Sequence, residues 1–135
     1  MTAAAGDSLR LQIEVPARAP AGRPVPIVLR ARNAGGRRRE LYLLGRSPTF
    51  DITVRAEDGR MIWRRLQDST VPAILQVRTL APGEELTARF RWDQRANDGA
   101  PVGPGRYTVR GALLTGSPPP LETPAAALEV VARSG

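Results

Sequence analysis

Apolar and polar residues alternate along most of this chain, in short runs separated by glycine and proline. The cleanest run places apolar side chains at every second position, at Leu86, Ala88, Phe90 and Trp92. Successive side chains of a β-strand point to opposite faces, so a period of two predicts strands that bury one face. Because no segment has the 3.6-residue period of a helix, we predict an all-β fold.

Turn-forming residues divide the chain into eight or nine such strands, with tight turns at 33–36, 58–59 and 81–83. Many short strands of this kind are typical of an immunoglobulin-like antiparallel β-sandwich. Pro24 and Pro26 stand at the start of one strand, which should therefore lie at a sheet edge or a bulge. The period predicts a core that contains Leu11, Ile13, Ile27, Leu29, Ile52, Val54, Phe90 and Val109.

The length fits one domain that spans residues 1–135, with flexible ends at 1–8 and 133–135. A domain of this size buries roughly two thirds of its unfolded surface, which agrees with the absence of Cys. No segment approaches the roughly 18 apolar residues of a membrane span, and Met1–Gly6 is not a signal peptide. The compartment stays open: cytoplasmic if the chain is complete, extracytoplasmic if it is a shortened one.

The chain contains no His, no Cys and no Lys, since all 20 basic residues are Arg. Ser-His-Asp triads, Cys-His pairs, His- or Cys-ligated metals and Schiff-base lysines are thereby excluded. The serines lie in predicted loops or termini, and no base is present to activate them. We therefore expect a binding module rather than an enzyme, with no catalytic residue, no metal and no cofactor.

The formal net charge of +7 has two interpretations. One is an acidic partner, namely nucleic acid, anionic lipid or an acidic protein face, and the simpler one is a solvated, Arg-rich surface. Proteins that bind single strands add exposed aromatic side chains for base stacking, whereas this chain has two each of Trp, Tyr and Phe. We expect no specific binding of nucleic acid.

Three aromatic residues are assigned structural roles. Trp92 continues the inward face of Phe90, and Trp63 also occupies a strand position, so we predict that both pack in the core. Tyr107 follows Pro104-Gly105. This position is typical of a tyrosine corner, in which the hydroxyl group donates a hydrogen bond back to the backbone across the turn.

Short motifs follow one another in a fixed order between Leu41 and Leu114. They are Phe50-Asp51 with Val54, Asp58-Gly59, Trp63-Arg64, Leu80-x-Pro82-Gly83-Glu84, Phe90-x-Trp92-Asp93 and Gly103-x-Gly105-x-Tyr107-x-Val109. In order and spacing they resemble the BsuPI family of intracellular proteinase inhibitors. The resemblance implies a β-sandwich that inhibits a serine protease.

The leading hypothesis is a noncovalent proteinase inhibitor or a closely related protein-binding domain, in which a rigid loop fills the cleft of the protease. The alternatives are an adhesion or accessory interaction module without a protease target and, more weakly, an Arg-rich binder of nucleic acid or anionic surfaces. The expected partner is a protein, in particular a serine protease, and the chain is expected to be a monomer.

The binding loops are expected at one end of the sandwich. Alternate connections of an antiparallel sandwich emerge at opposite ends, and the connections 16–23, 45–49, 67–72 and 93–105 fall into one set. Loops held by a rigid scaffold are the usual seat of binding, and 93–105 is the longest of these. The candidate contact residues are Ser47, Pro48, Ser69, Thr70, Arg95, Asn97, Asp98, Pro101 and Val102.

Overall fold

The computed structural model describes residues 2–5, 9–45, 48–67, 69–116 and 121–133, and these form twelve strands without a helix. In chain order the strands are β1 (Thr2–Ala5), β2 (Leu9–Glu14), β3 (Arg18–Pro20), β4 (Val25–Asn33), β5 (Arg39–Leu44), β6 (Phe50–Ala56), β7 (Met61–Arg64), β8 (Leu75–Leu80), β9 (Glu85–Trp92), β10 (Gly105–Leu113), β11 (Leu121–Glu122) and β12 (Ala126–Val131).

Two sheets form the sandwich, one in the order β1-β2-β4-β9 and the other in the order β3-β12-β10-β6-β7 with β11 beside β10. A third sheet contains only β5 and β8. All pairs are antiparallel except β12 with β3. The predicted immunoglobulin-like antiparallel sandwich is confirmed. Three strands more than the upper prediction are present, because β1, β3 and β11 are too short to show a period of two.

The core consists of the inward residues of both large sheets, as the alternation predicts. Seven of the eight predicted core residues are buried, namely Leu11, Ile13, Ile27, Leu29, Ile52, Val54 and Val109. The eighth, Phe90, is half-buried and packs against this core. The guanidinium group of Arg65 covers its ring at 4.4 Å from the centroid, so a cation rather than an apolar side chain closes the core there.

Pro26 lies inside a strand that has neighbours on both sides, yet it costs no hydrogen bond. The last pair between β2 and β4 is Glu14 with Val28, so β2 has ended before it reaches Pro26. On the other side, Asn33 N donates to Glu84 O, so Asn33 belongs to a hydrogen-bonded pair of the β4–β9 ladder. Hydrogen-bonded and non-bonded pairs alternate along such a ladder. In that alternation the backbone of Pro26 points away from β9, so the start of β4 behaves as the predicted sheet edge.

Part of the N-terminal segment forms a strand. Thr2–Ala5 forms β1 and pairs with residues 9–12 of β2. Its sequence, one Thr followed by three Ala, contains no alternation of apolar and polar residues, so it carries no signal for a strand. Of the other residues at the predicted ends, Arg133 is exposed. Residues 1, 6–8, 134 and 135 lie outside the described residues.

The two large sheets approach closely at Gly111. A Cβ atom at this position would lie 3.1 Å from Cδ1 of Leu29 and closer still to its Cδ2. Leu29 is fully buried, so its side chain can move aside only by disturbing the close packing of the core. Replacement of Gly111 with Ala should therefore lower the free energy of unfolding by about 1–3 kcal/mol, measured by urea denaturation.

A double-mutant cycle identifies the cause of that loss. Leu29→Ala alone should cost about 2–5 kcal/mol, and Gly111→Ala should cost much less in that background, because the clashing methyl groups are gone. Gly36→Ala is the control, since no atom lies within 4 Å of its added Cβ. Additive costs for the two core substitutions would contradict this explanation.

Candidate functional site

The connection between β9 and β10 contains a small hairpin, residues 95–101, which we call the 95–101 hairpin. Arg95 and Pro101 form an isolated β-bridge, and Ala96 N donates to Ala100 O at 2.8 Å. Gly99 N donates back to Ala96 O at 2.9 Å, and Gly99 has a φ of 89° that favours glycine. The tip therefore has a defined conformation rather than that of an open loop.

Gln94 fastens the base of this hairpin. Its side chain is 1% exposed, and its backbone has a φ of 60°, which is uncommon outside glycine. The amide Nε2 donates to Pro20 O and Arg23 O, both at 2.8 Å, and Oε1 accepts from Gly22 N at 3.1 Å. Gln94 thus joins the hairpin to the turn between β3 and β4. Gln94 was not among the predicted site residues, because a single Gln between strands carries no periodic signal.

Asn97 fastens one side of the hairpin to the edge of β7. Its Oδ1 accepts from Arg64 N at 2.8 Å, and its Nδ2 donates to Arg64 O at 3.0 Å. Asn97 N also donates to Ile62 O at 3.3 Å. This side chain takes the place of a neighbouring strand. Asn97 is a candidate contact residue, yet its amide group is engaged within the molecule.

Three aromatic side chains lie beneath the hairpin. Trp92 is fully buried, and its Nε1 donates to Arg95 O at 2.9 Å. Trp63 stacks on Trp92 with ring centroids 6.0 Å apart, and Tyr107 meets Trp92 edge to face at 6.3 Å. Trp63 itself is only partly buried. These rings form a hydrophobic base that carries the hairpin.

Tyr107 holds the second half of the connection. Its hydroxyl group donates to Gly103 O, four residues upstream, at 2.6 Å, which is the geometry of a tyrosine corner. Burial raises the pKa of Tyr107 above its ordinary value of 10.0, although the nearby positive charge of Arg60 opposes the shift. The phenol is therefore protonated at neutral pH and able to donate.

A cleft of about 570 Å³ separates the hairpin from the turn between β6 and β7. Its lining includes Arg60 from that turn, Met61 at the start of β7, Gln67, and Asn97 and Pro101 from the hairpin. The hairpin tip beside the cleft is exposed at residues 97–101. The arrangement presents a projecting, fixed tip with a cleft at its flank, which suits contact with a protein surface.

The structure brings together five of the nine candidate contact residues, namely Arg95, Asn97, Asp98, Pro101 and Val102. Ser69 and Thr70 are exposed. Ser69 ends a turn, since its N donates to Leu66 O at 3.2 Å. Leu66 N is bound to the side chain of Asp51, so this turn lies near the beginning of β6.

Pro48 also lies at the beginning of β6, where Leu114 N donates to Thr49 O at 3.0 Å. Tyr107 pairs with the opposite end of β6, at Ala56. The prediction that connections 45–49 and 93–105 share one end is therefore wrong, and the turn 57–60, assigned to the other end, lies beside the hairpin instead. Ser47 lies outside the described residues.

The error has a physical reason in β5. This strand begins opposite Leu80, which accepts a hydrogen bond from Asn33 at the end of β4. It ends where Leu44 N donates to Leu114 O, just after β10. Both points lie at the same end of the sandwich. Because β5 does not cross from end to end, the alternation of connections fails after it.

Replacement of Tyr107 with Phe should lower the free energy of unfolding by about 0.5–1.5 kcal/mol at neutral pH, because the hydrogen bond to Gly103 is lost. Because the pKa of Tyr107 is raised in the folded state, the protonated side chain stabilises the fold at every pH below the unfolded-state pKa of 10.0. This stabilisation is lost as the pH rises through the folded-state pKa. Urea denaturation of both proteins from neutral to alkaline pH should show the difference shrinking. A difference independent of pH would contradict this role.

Comparison with known proteins agrees with the architecture. The model of the BsuPI family, described as intracellular proteinase inhibitor, matches residues 11–117, a wider span than the motifs between Leu41 and Leu114. The comparison with curated proteins gives no match. Within the described residues, no helix is long and apolar enough to cross a bilayer, and no group of acidic residues has the arrangement of a metal site.

Two solved structures are similar to this chain at low sequence identity. A mutant β-glucosidase from Listeria innocua in complex with laminaribiose is similar with a TM-score of 0.52 and 13% identity, over 93% of this chain and 16% of that one. A CARDB domain from Pyrococcus furiosus in complex with di-metal ions has a TM-score of 0.48 and 14% identity, over 93% and 94% of the two chains. At such identities the first likeness shows the fold alone. The family match over residues 11–117 decides the classification, and this chain belongs to the BsuPI family of intracellular proteinase inhibitors.

Proposed function

We propose that this chain inhibits a serine protease without forming a covalent bond, and that the 95–101 hairpin is its main contact element. Membership of the BsuPI family supports the class of activity. The observation that carries the proposal is the way in which the hairpin is held. Its base, its side and its underside are each fixed to a different part of the sandwich, while its tip is exposed.

The fixation matters because binding costs free energy for every group that has to be ordered. Ordering one flexible side chain at an interface costs about 0.5–1.5 kcal/mol, and ordering a loop costs more. Here the cost is met during folding, through Gln94, Asn97 and Trp92. A tip that is already ordered gains affinity for a complementary cleft without any further contact.

Bonds within the hairpin restrict the tip as well. Asp98 Oδ1 accepts from Ala100 N at 2.9 Å, and Arg95 Nη1 donates to Gly99 O at 2.9 Å. Pro101 adds a fixed φ at the point where the chain turns back. A segment restricted in this way resists the extension that a protease needs for cleavage, which suits an inhibitor that is recovered intact.

The primary experiment is a panel of purified subtilisin-like and other serine proteases, assayed with the chain in excess. We expect reversible slowing of at least one protease, with the chain recovered uncut. Replacement of residues 95–102 with a short Gly-Ser linker should abolish this inhibition while the fold is retained. If no protease is slowed, the inhibitor proposal fails and an accessory interaction module replaces it.

Asn97→Ala tests whether rigidity matters. The substitution removes both side-chain bonds to Arg64 but leaves the rest of the tip in place. We expect the inhibition constant to rise about tenfold, which corresponds to roughly 1.4 kcal/mol, while the midpoint of thermal unfolding changes little. Steady-state inhibition kinetics on the protease identified by the panel measure the effect.

Glu84→Ala is the matched control. Glu84 Oε1 fastens the turn at the other end of the sandwich by accepting from Ala81 N at 2.9 Å, so this variant also loosens an exposed turn. We expect its inhibition constant to equal that of the wild-type chain. Equal losses in the two variants would show that the hairpin has no special part in inhibition.

A further inference from the structure

The outer edge of β8 presents backbone groups in a regular pattern. Gly45 N donates to Ile74 O at 2.7 Å, next to the pair of Leu44 and Leu75 at the end of β5 and the start of β8. Hydrogen-bonded pairs alternate with non-bonded pairs in an antiparallel ladder. The bonds from Leu44 N to Leu114 O and from Gly116 N to Tyr42 O fit this alternation, since they leave β5 on its other side. The N–H and C=O groups of residues 75, 77 and 79 therefore point away from β5.

Within the described part of the chain, no strand pairs with this outer edge. Two other edges, those of β7 and β9, are protected. Asn97 covers β7, and the free side of β9 carries the charged residues Glu85, Arg89 and Arg91. Charged residues on an edge strand discourage pairing with another chain. The edge of β8 carries a single charged residue, Arg78, and no side-chain amide of the described residues covers it.

Apolar side chains line the same edge. Leu75 and Val77 are each 57% exposed, and their cross-strand neighbour Tyr42 is 55% exposed. An exposed apolar surface next to unpaired backbone groups is the form that β-augmentation sites take.

The charge at the edge indicates the chemistry of an occupant. Arg78 lies between Val77 and Thr79 and points to the opposite face from Val77. It is exposed, and no carboxylate of the described residues forms an ion pair with it. A strand added here would place one side chain directly opposite Arg78, where a carboxylate is favoured.

We propose that the outer edge of β8 binds an extended segment of a partner protein in which apolar and acidic residues alternate. The segment would add to the sheet as an antiparallel strand, with apolar residues opposite residues 75, 77 and 79 and an acidic residue opposite Arg78. A second copy of this chain fits less well. Self-pairing centred on Arg78 would oppose two like charges, and self-pairing centred on Val77 would place Gln76 opposite Arg78, which leaves the charge without a counterpart.

This site goes beyond the proposed inhibition and is separate from it. The β5–β8 sheet lies at the end of the sandwich near Asn33 and Leu114, whereas the 95–101 hairpin rests on residues 20–23 at the other end. Each surface can be altered alone. Failure of the inhibition assay therefore leaves the test of the β8 edge unaffected.

The probe is a synthetic peptide, Val-Glu-Val-Glu-Val with blocked ends, and its control is the same peptide with Lys in place of Glu. We expect calorimetry to detect the Glu peptide and to find at least about tenfold weaker binding of the Lys peptide. Amide hydrogen exchange should slow on binding at Leu75, Val77 and Thr79. The amides of Gln76 and Arg78 already donate to β5 and should not change.

Two substitutions test the pairing and the charge. Val77→Pro removes an outward N–H without removing a bond to β5, so it should fold and bind the Glu peptide at least about tenfold more weakly. If it does not fold, a peptide N-methylated at its central Val removes the reciprocal bond of the same pair, from the peptide N–H to Val77 O. Arg78→Glu should reverse the preference in favour of the Lys peptide, and Arg89→Glu, on the outer face of β9, should not.

Three results would overturn the proposal. One is binding that Val77→Pro and the N-methylated peptide both leave unchanged. Another is equal binding of the Glu and Lys peptides. The third is a concentration-dependent dimer in sedimentation that Val77→Pro disrupts, because the occupant of the edge would then be a second copy of this chain.

Discussion

Side-chain amides complete the backbone hydrogen bonding where the sheets of this protein end. Asn33, fully buried, donates to Leu80 O and to Arg37 O and so joins β4 to the β5–β8 sheet. Gln94 does the same at the opposite end, and Asn97 does so along the edge of β7. An unpaired buried backbone group costs about as much as a lost hydrogen bond, so the two ends of the sandwich depend on the buried Asn33 and Gln94, whereas the exposed bonds of Asn97 fix the conformation of the hairpin.

The surface contains two kinds of region, which differ in whether the backbone N–H and C=O groups have partners within the molecule. Around the 95–101 hairpin the backbone is satisfied from within, and what is presented is a fixed shape with few free groups. Along β8 the backbone is not satisfied, and what is presented is a row of donors and acceptors beside exposed Leu75 and Val77. The first kind of surface suits a partner with a complementary cleft, and the second suits a partner that supplies a strand.

The period of two was enough to predict the sandwich and its core, because burial of one face of a strand acts on every second residue. Leu29 and Val109, far apart in sequence, were both assigned correctly on this ground alone. The hairpin was predicted only as a long connection. The roles of Gln94 and Asn97 as anchors could not be predicted from the sequence, since their partners are backbone groups 33 to 74 residues away.

The sequence by itself determined the fold class, the core and the family, which depend on local alternation and on motifs in a fixed order. Only the tertiary structure decided which loops are neighbours, because β5 turns back at one end instead of crossing the sandwich. It alone also decided which strand edges are covered and which are open. Alternation shows which way a side chain points, but whether a backbone group has a partner depends on a strand or an amide that arrives from elsewhere in the chain.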